Sequence, residues 1–194
     1  MGVRLMPKPL QYTYLDTSAL MRKADASAST MVARVQKMQP VLQSIFADET
    51  RIFACSELTI LEFHSNITTN YRSQALPDCD YEWWLGARAD LFQRIGDGQI
   101  TVLPTPPKAA EHVMSLVTLA TREHGRALHA MDAMHVVIAA RWAYDIGARV
   151  EILTSDTDFD AALSVTSFND RVTFANLDVL ASTGEGYDKR NQSV

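Results

Sequence analysis

Three aspartates, Asp156, Asp158 and Asp160, stand on alternate positions directly after the apolar pair Ile152 and Leu153, in the run ILTSDTDFD. Carboxylates are hard oxygen donors, the ligands that Mg²⁺ and Ca²⁺ prefer. An EF-hand calcium loop fails on spacing. It asks for glycine at its sixth position and glutamate at its twelfth, and Ala161 and Ser167 stand there. Two readings remain: a turn with a helix N-cap, for Asp158 and Asp160, or one corner of a metal site whose other ligands lie elsewhere in the chain.

Other acids could supply those ligands. Asp16 follows the strand-forming YTYL and precedes Thr17 and Ser18. Glu62 shares a helical face with Leu58, Leu61 and Ser65. A glutamate on that stripe needs a partner, a proton or a metal, unless its stem carries it to solvent. Asp132 heads the run MDAMHVVIAARWAYDIG, and its face continues through Val136, Ala139 and Ala143. It reads either as a cap complementing the helix dipole or as a site residue. His135, one turn later, reads first as a satisfied histidine in the core or behind the ligands, and second as a ligand. His64, His112, His124 and His129 have no paired metal spacing, and there is no zinc-type Cys/His cluster. A phosphate-cradling glycine loop and a GxSxG nucleophile turn are also missing.

The elements that must position these acids follow from pattern. YTYLDTSAL reads as a short strand entering a turn or helix start. Residues 30–47 have helical spacing, with Pro40 expected to bend or split them. RIFAC (51–55) is a buried-type strand, and Ser56 caps the helix that follows. The polar stretch 68–82, broken by Pro77, reads as a connection or small insertion. A helix is expected at 83–95, a strand at 99–104 and helices at 108–123 and 130–146, the last stopped by Gly147. A strand at 149–156, a short helix near 158–164 and a strand at 171–177 complete the domain, with a frayed tail from Ser182. Strands alternate with helices throughout, which predicts an α/β fold: a parallel sheet with helices on both faces. Such sheets bind ligands at the carboxyl ends of their strands. Asp16 and Asp156 both sit at such ends.

The 194 residues fit one domain, expected over 1–181, with 182–194 as a flexible tail. The two cysteines, Cys55 and Cys79, are too few for a disulfide framework and suit a reducing compartment. No run is apolar enough for a bilayer span, and MGVRLMPKPL lacks a signal-peptide core. The expectation is a soluble cytoplasmic protein. A net charge of −5 argues against a basic nucleic-acid binder, unless the acids hold cations that invert the local sign.

Four segments stand in a fixed order: YLDTSAL at a strand end, SELTILEF on a helix, MDAMHVVIAA opening a buried helix, and ILTSDTDF at a later strand end. This set resembles the PIN-domain ribonucleases, most closely their VapC-type toxins, over about residues 12–177. The resemblance implies a three-layer α/β/α fold with a central, mostly parallel sheet. It implies a catalytic, metal-holding quartet of Asp16, Glu62, Asp132 and Asp156. Ser18 would be a supporting contact to metal or phosphate, Thr154 would orient the last aspartate, and Asp158 would be auxiliary. Mg²⁺ or Mn²⁺ is the implied cofactor and RNA the substrate. Metal-activated water would attack phosphorus and leave a 5′-phosphate and a 3′-hydroxyl. A small cognate antitoxin and a homodimer are the implied partners.

Arg22 and Lys23 read as contacts to RNA backbone or as a solvated helix end. Trp83 and Trp84 read as base-stacking residues or as packing. The chain is longer than the compact toxins, chiefly at 65–85 and in the tail. Two alternatives stand beside the toxin reading. One is a nuclease-silent RNA-binding or interaction module. The other is a different Mg²⁺-dependent phosphoesterase, although Ser18 occupies the place of the second aspartate that the phosphatase pattern requires.

Overall fold

The computed structural model describes residues 9–25, 33–72, 78–125, 128–159, 162 and 170–183. In chain order the elements are β1 (Gln11–Leu15), α1 (Thr17–Asp25), α2 (Ala33–Ala47), β2 (Arg51–Ser56), α3 (Glu57–Arg72) and α4 (Asp78–Gly96). There follow β3 (Ile100–Leu103), α5 (Ala109–His124), α6 (Ala130–Ile146), β4 (Val150–Thr154), β5 (Val172–Asn176) and α7 (Leu177–Thr183).

Every strand pairing is parallel, and the sheet order is β3-β2-β1-β4-β5. Strands in such a sheet are buried on both faces, and alternate residues enter different cores. Leu15 and Leu153 join Leu20, Met38, Ile45, Phe63 and Leu180 on one face. Tyr14, Val150 and Ile152 join Val113, Leu116, Val136 and Ala139 on the other. Helices α1, α2, α3, α4 and α7 therefore cover the first face and α5 and α6 the second, giving three layers.

The central strand β1 fixes the site. The chain leaves it toward β2 on one side, while β4 returns on the other. This reversal is the topological switch point of the sheet, where an open α/β fold leaves a crevice beyond the strand ends. Tyr14 pairs with Ile152 and Leu15 with Leu153, and the Asp16 amide extends the ladder to the Leu153 carbonyl at 3.2 Å. Asp16 and Thr154 thus leave the sheet side by side.

Helix α6 runs over the predicted residues and ends at Gly147, whose φ of 65° and amide bonds to the Ala143 and Tyr144 carbonyls close the last turn. Ser56 caps α3 as expected, its Oγ accepting the Thr59 amide at 3.1 Å.

Three expectations need correction. The region is not split at Pro40: helix α2 runs on through it, and the proline lies exposed and forfeits one helical hydrogen bond. The described residues of the supposed connection at 68–82 are helical: α3 continues to Arg72 and α4 begins at Asp78. Buried Ile67 anchors that last stretch of α3, and the Thr68 hydroxyl bonds back to the His64 carbonyl, so tertiary packing overrides weak propensity. Ser182 and Thr183, assigned to the tail, belong to α7. The rest of the tail, Cys79's side chain and most of the 158–164 segment lie outside the described residues. Among the described residues no helix is long and apolar enough to cross a membrane.

Candidate metal centre

Asp16 is the pivot between β1 and α1. It caps α1, accepting the Ser18 amide at 3.2 Å on Oδ2, while its carbonyl accepts the Ala19 amide. The same Oδ2 accepts the Ser18 hydroxyl at 2.6 Å and the Thr154 hydroxyl at 2.9 Å. The site aspartate is therefore also a structural cap, 5% exposed and oriented by three donors.

Thr154, at the end of β4, serves both strands. Its Oγ1 donates to Asp16 and accepts the Asp156 amide at 2.9 Å. Ser18 Oγ, after donating to Asp16, accepts the Ser155 amide at 2.7 Å. The supporting hydroxyl of the first motif is thus a strut between the two strand ends. Asp156 Oδ1 accepts the Asp158 amide at 2.9 Å, an Asx turn that holds the two acids at a fixed spacing. From β5, the Asn176 side chain donates to the Asp156 carbonyl at 3.1 Å and caps α7 through the Asp178 and Val179 amides.

Glu62, in the second turn of α3, does not escape to solvent. Its Oε2 accepts the Thr17 hydroxyl at 2.5 Å and meets His135 Nε2 at 2.8 Å. Burial opposes its charge, but the bonds from His135 and Thr17 outweigh that and hold the carboxyl below its usual range. Asp132 lies in the first turn of α6, where N-cap His129 makes no side-chain cap bond. Its pKa is pushed up to about 6 by burial, then by the charges of Asp156 and Asp16. Its carboxylate stands beside those of Asp156 and Asp158, ligand atoms within 4.8 Å of one another.

The described acids form two clusters that could each hold a cation: Asp16, Glu62 and His135, and Asp132, Asp156 and Asp158. Within each, the ligand atoms lie within 4.8 Å of one another. All four acids of the expected quartet, with Asp158, therefore stand at the switch point. The clusters differ in character. In the first, hydroxyl and ring donors engage both carboxylates, whereas the second is made of carboxylate oxygens and holds Asp132 under the repulsion of Asp156, which fits a hard divalent cation. The side chains of Arg22, Lys23, Trp83 and Trp84, and the whole of Asp160, lie outside the described residues.

Three contributors escaped sequence reasoning: Tyr14 read only as a strand former, Thr17 only as part of a turn or helix start, and Asn176 only as part of the last strand. Asn176 did carry a signal, an asparagine ending a strand with Asp178 two residues on, which is a helix-start pattern.

No protein-family model and no curated protein matches the chain. Solved structures do. VapBC-5 from Mycobacterium tuberculosis, a member of the VapBC family of toxin-antitoxin systems, aligns at 19% identity and a TM-score of 0.50, over 85% of this chain and 98% of its own. FitAcB from Neisseria gonorrhoeae aligns at 17% identity and a TM-score of 0.47, over 85% and 97%. PAE2754 from Pyrobaculum aerophilum aligns at 20% and 0.47, over 90% and 88%. The protein is thus an α/β chain of PIN-like, three-layer fold with two clusters of acids at its switch point. The solved chain that carries this likeness, VapBC-5, is similar in fold at an identity that speaks to fold alone.

Proposed function

We propose that this chain is a PIN-domain endoribonuclease of the VapC type, the toxin of a type II toxin–antitoxin pair, its nuclease domain reaching through α7 to Thr183. The observation that carries the reading is the convergence of Asp16, Glu62, Asp132 and Asp156, from four separate elements, on one crevice. A buried or half-buried cluster of this size is costly without a counter-charge. Oxygen donors alone line the Asp132 cluster, which suits Mg²⁺ or Mn²⁺.

When bound, such a cation supplies Lewis acidity, lowers the pKa of water and offsets phosphate charge. The chain's own residues do the rest. Asp132, Asp156 and Asp158 would hold the cation, with Asp16 and Glu62 completing the crevice. Ser18 and Thr154 fix the Asp16 carboxylate, and Thr17 fixes Glu62, so the acids are oriented before substrate arrives. Glu62 Oε1 makes no hydrogen bond among the described residues and is free to face the crevice. Neutralising these acids also turns a chain of charge −5 locally receptive to RNA phosphate. A small antitoxin and a homodimeric state belong to the same reading, as does action in the cytoplasm.

Cleavage of total RNA with Mg²⁺ or Mn²⁺ and with EDTA, beside a phosphate-ester assay, is the direct test. The reading expects metal-dependent RNA cleavage that Asp16→Ala or Asp132→Ala reduces by several hundredfold or more, with unchanged circular dichroism. Activity in EDTA, full activity in both variants, or hydrolysis of phosphate esters alone would overturn it. Folded protein with no cleavage of any RNA would favour a silent RNA-binding module. Co-expression with the neighbouring gene tests the antitoxin, which should co-purify and suppress cleavage.

A further inference from the structure

His135 is 1% exposed and sits among the apolar residues of α6. A polar ring there needs both nitrogens satisfied, and both are. Nε2 faces Glu62 Oε2 at 2.8 Å and Asp16 Oδ1 at 3.4 Å. An ionised carboxylate only accepts, so Nε2 carries a proton toward these acids. Nδ1 lies 2.7 Å from the Tyr14 hydroxyl. That hydroxyl, wholly buried, reaches Ser56 Oγ at 2.8 Å and Thr59 Oγ1 at 3.3 Å. A single polar chain therefore runs from the cap of α3, through β1 and α6, to two acids of the centre. It ties together three elements that each carry or adjoin an acid of the expected quartet: Glu62 on α3, Asp16 after β1 and Asp132 on α6.

We propose that His135 is a positioning residue of the metal centre, with Tyr14 fixing its ring. Its Nε2–H holds Glu62 against Asp16 and leaves Glu62 Oε1 to face the cation, and it is not itself a ligand. The proposal rests on the metal-centre reading above. To act as a ligand instead, His135 would have to lose the proton it shares with Glu62. The two carboxylates would then be without their common donor. Groups that orient ligands in this way matter to affinity: their loss weakens metal binding by roughly 10–100-fold.

The test is Mn²⁺ binding to the metal-free full chain, followed by electron paramagnetic resonance without RNA. The wild type is expected to bind Mn²⁺ and to show, in pulsed spectra, no coupling from a directly bound histidine nitrogen. His135→Phe should weaken binding by about 10–100-fold. His135→Gln places an amide N–H where Nε2 stood and should recover most of that loss. Tyr14→Phe, which frees the ring but keeps its packing, should fall between. Circular dichroism checks that each variant folds, and the pulsed spectrum of the wild type needs no variant at all. A directly coupled histidine nitrogen would overturn the proposal. So would wild-type affinity in His135→Phe, or His135→Gln binding no better than His135→Phe. A wild-type chain that binds no Mn²⁺ overturns the metal centre itself, a separate and recognisable result.

Discussion

Asp132→Asn should stabilise the metal-free protein, although substitutions at half-buried polar positions usually destabilise. The folded-state pKa of Asp132 is about 6 against an ordinary 3.8. At about 1.4 kcal/mol per unit, that shift caps the penalty of keeping it ionised in the fold at about 3 kcal/mol. Asp132 retains partial access to solvent, and screening reduces the figure to about 1–2 kcal/mol. The sign follows from linkage. Below pH 3.8 the carboxyl is protonated in both folded and unfolded chains, and no penalty exists. Between about 4 and 6 the unfolded chain ionises first, so wild-type stability falls as pH rises. Above 6 the full penalty persists. Asparagine never ionises, so its advantage should be absent near pH 3.5, grow to pH 6 and stay level beyond. For a chain of this length, 1–2 kcal/mol corresponds to about 2–8 °C in Tm. The assay is thermal unfolding in EDTA at several pH values, repeated with saturating Mg²⁺. Bound cation relieves the same repulsion, so Mg²⁺ should raise the wild type more than the variant. A variant no more stable than wild type at pH 7.5 in EDTA, or one whose gain persists at pH 3.5, would refute the reasoning.

Two further predictions follow from the same physics. Glu62 is held below its usual pKa, so its charge contributes stability that is present above pH 4.5 and lost as pH falls through its folded-state pKa. Glu62→Gln should therefore be less stable than wild type at pH 7, opposite in sign to Asp132→Asn, with the gap closing in acid by urea titration. At the other end of the sheet, Arg51 donates to Thr13 at 2.7 Å and pairs with Glu151 at 3.2 Å, beneath the strands. Burial already raises the Glu151 pKa against the pull of Arg51. Arg51→Met should cost about 3–5 kcal/mol by leaving that carboxylate without its counter-charge. Glu151→Gln in the same chain should recover much of it.

How far the site could be read from sequence depended on how local its causes are. Asp16 and Asp156 were legible because each follows a short strand whose apolar run marks its end, and parallel topology does the rest. The limits of α6 were legible because Gly147 supplies the left-handed residue that ends the helix. The length of α3 was not, because Thr68 to Asn70 have weak helix propensity, and the burial of Ile67 just before them is not marked by any local pattern. Helix α7 was missed because seven residues carry little periodicity, and its cap, Asn176, was lost among strand residues.

The tether of Glu62 lay beyond any local pattern, and its consequence is the division of the centre. Tyr14 and His135 are 121 residues apart in sequence, and His135 and Glu62 are 73. Neither pair has a spacing that signals contact; only the sheet order brings β1, α3 and α6 together. Yet these contacts decide which acids are compensated by the protein and which are not. Asp16 and Glu62 receive hydroxyl and ring donors and are oriented at rest. Asp132 receives repulsion from Asp156 and Asp16. Asp156 takes an amide donor from Asp158, while Asp132 stands half-buried under the repulsion of its neighbours. That repulsion is what a bound divalent cation would relieve.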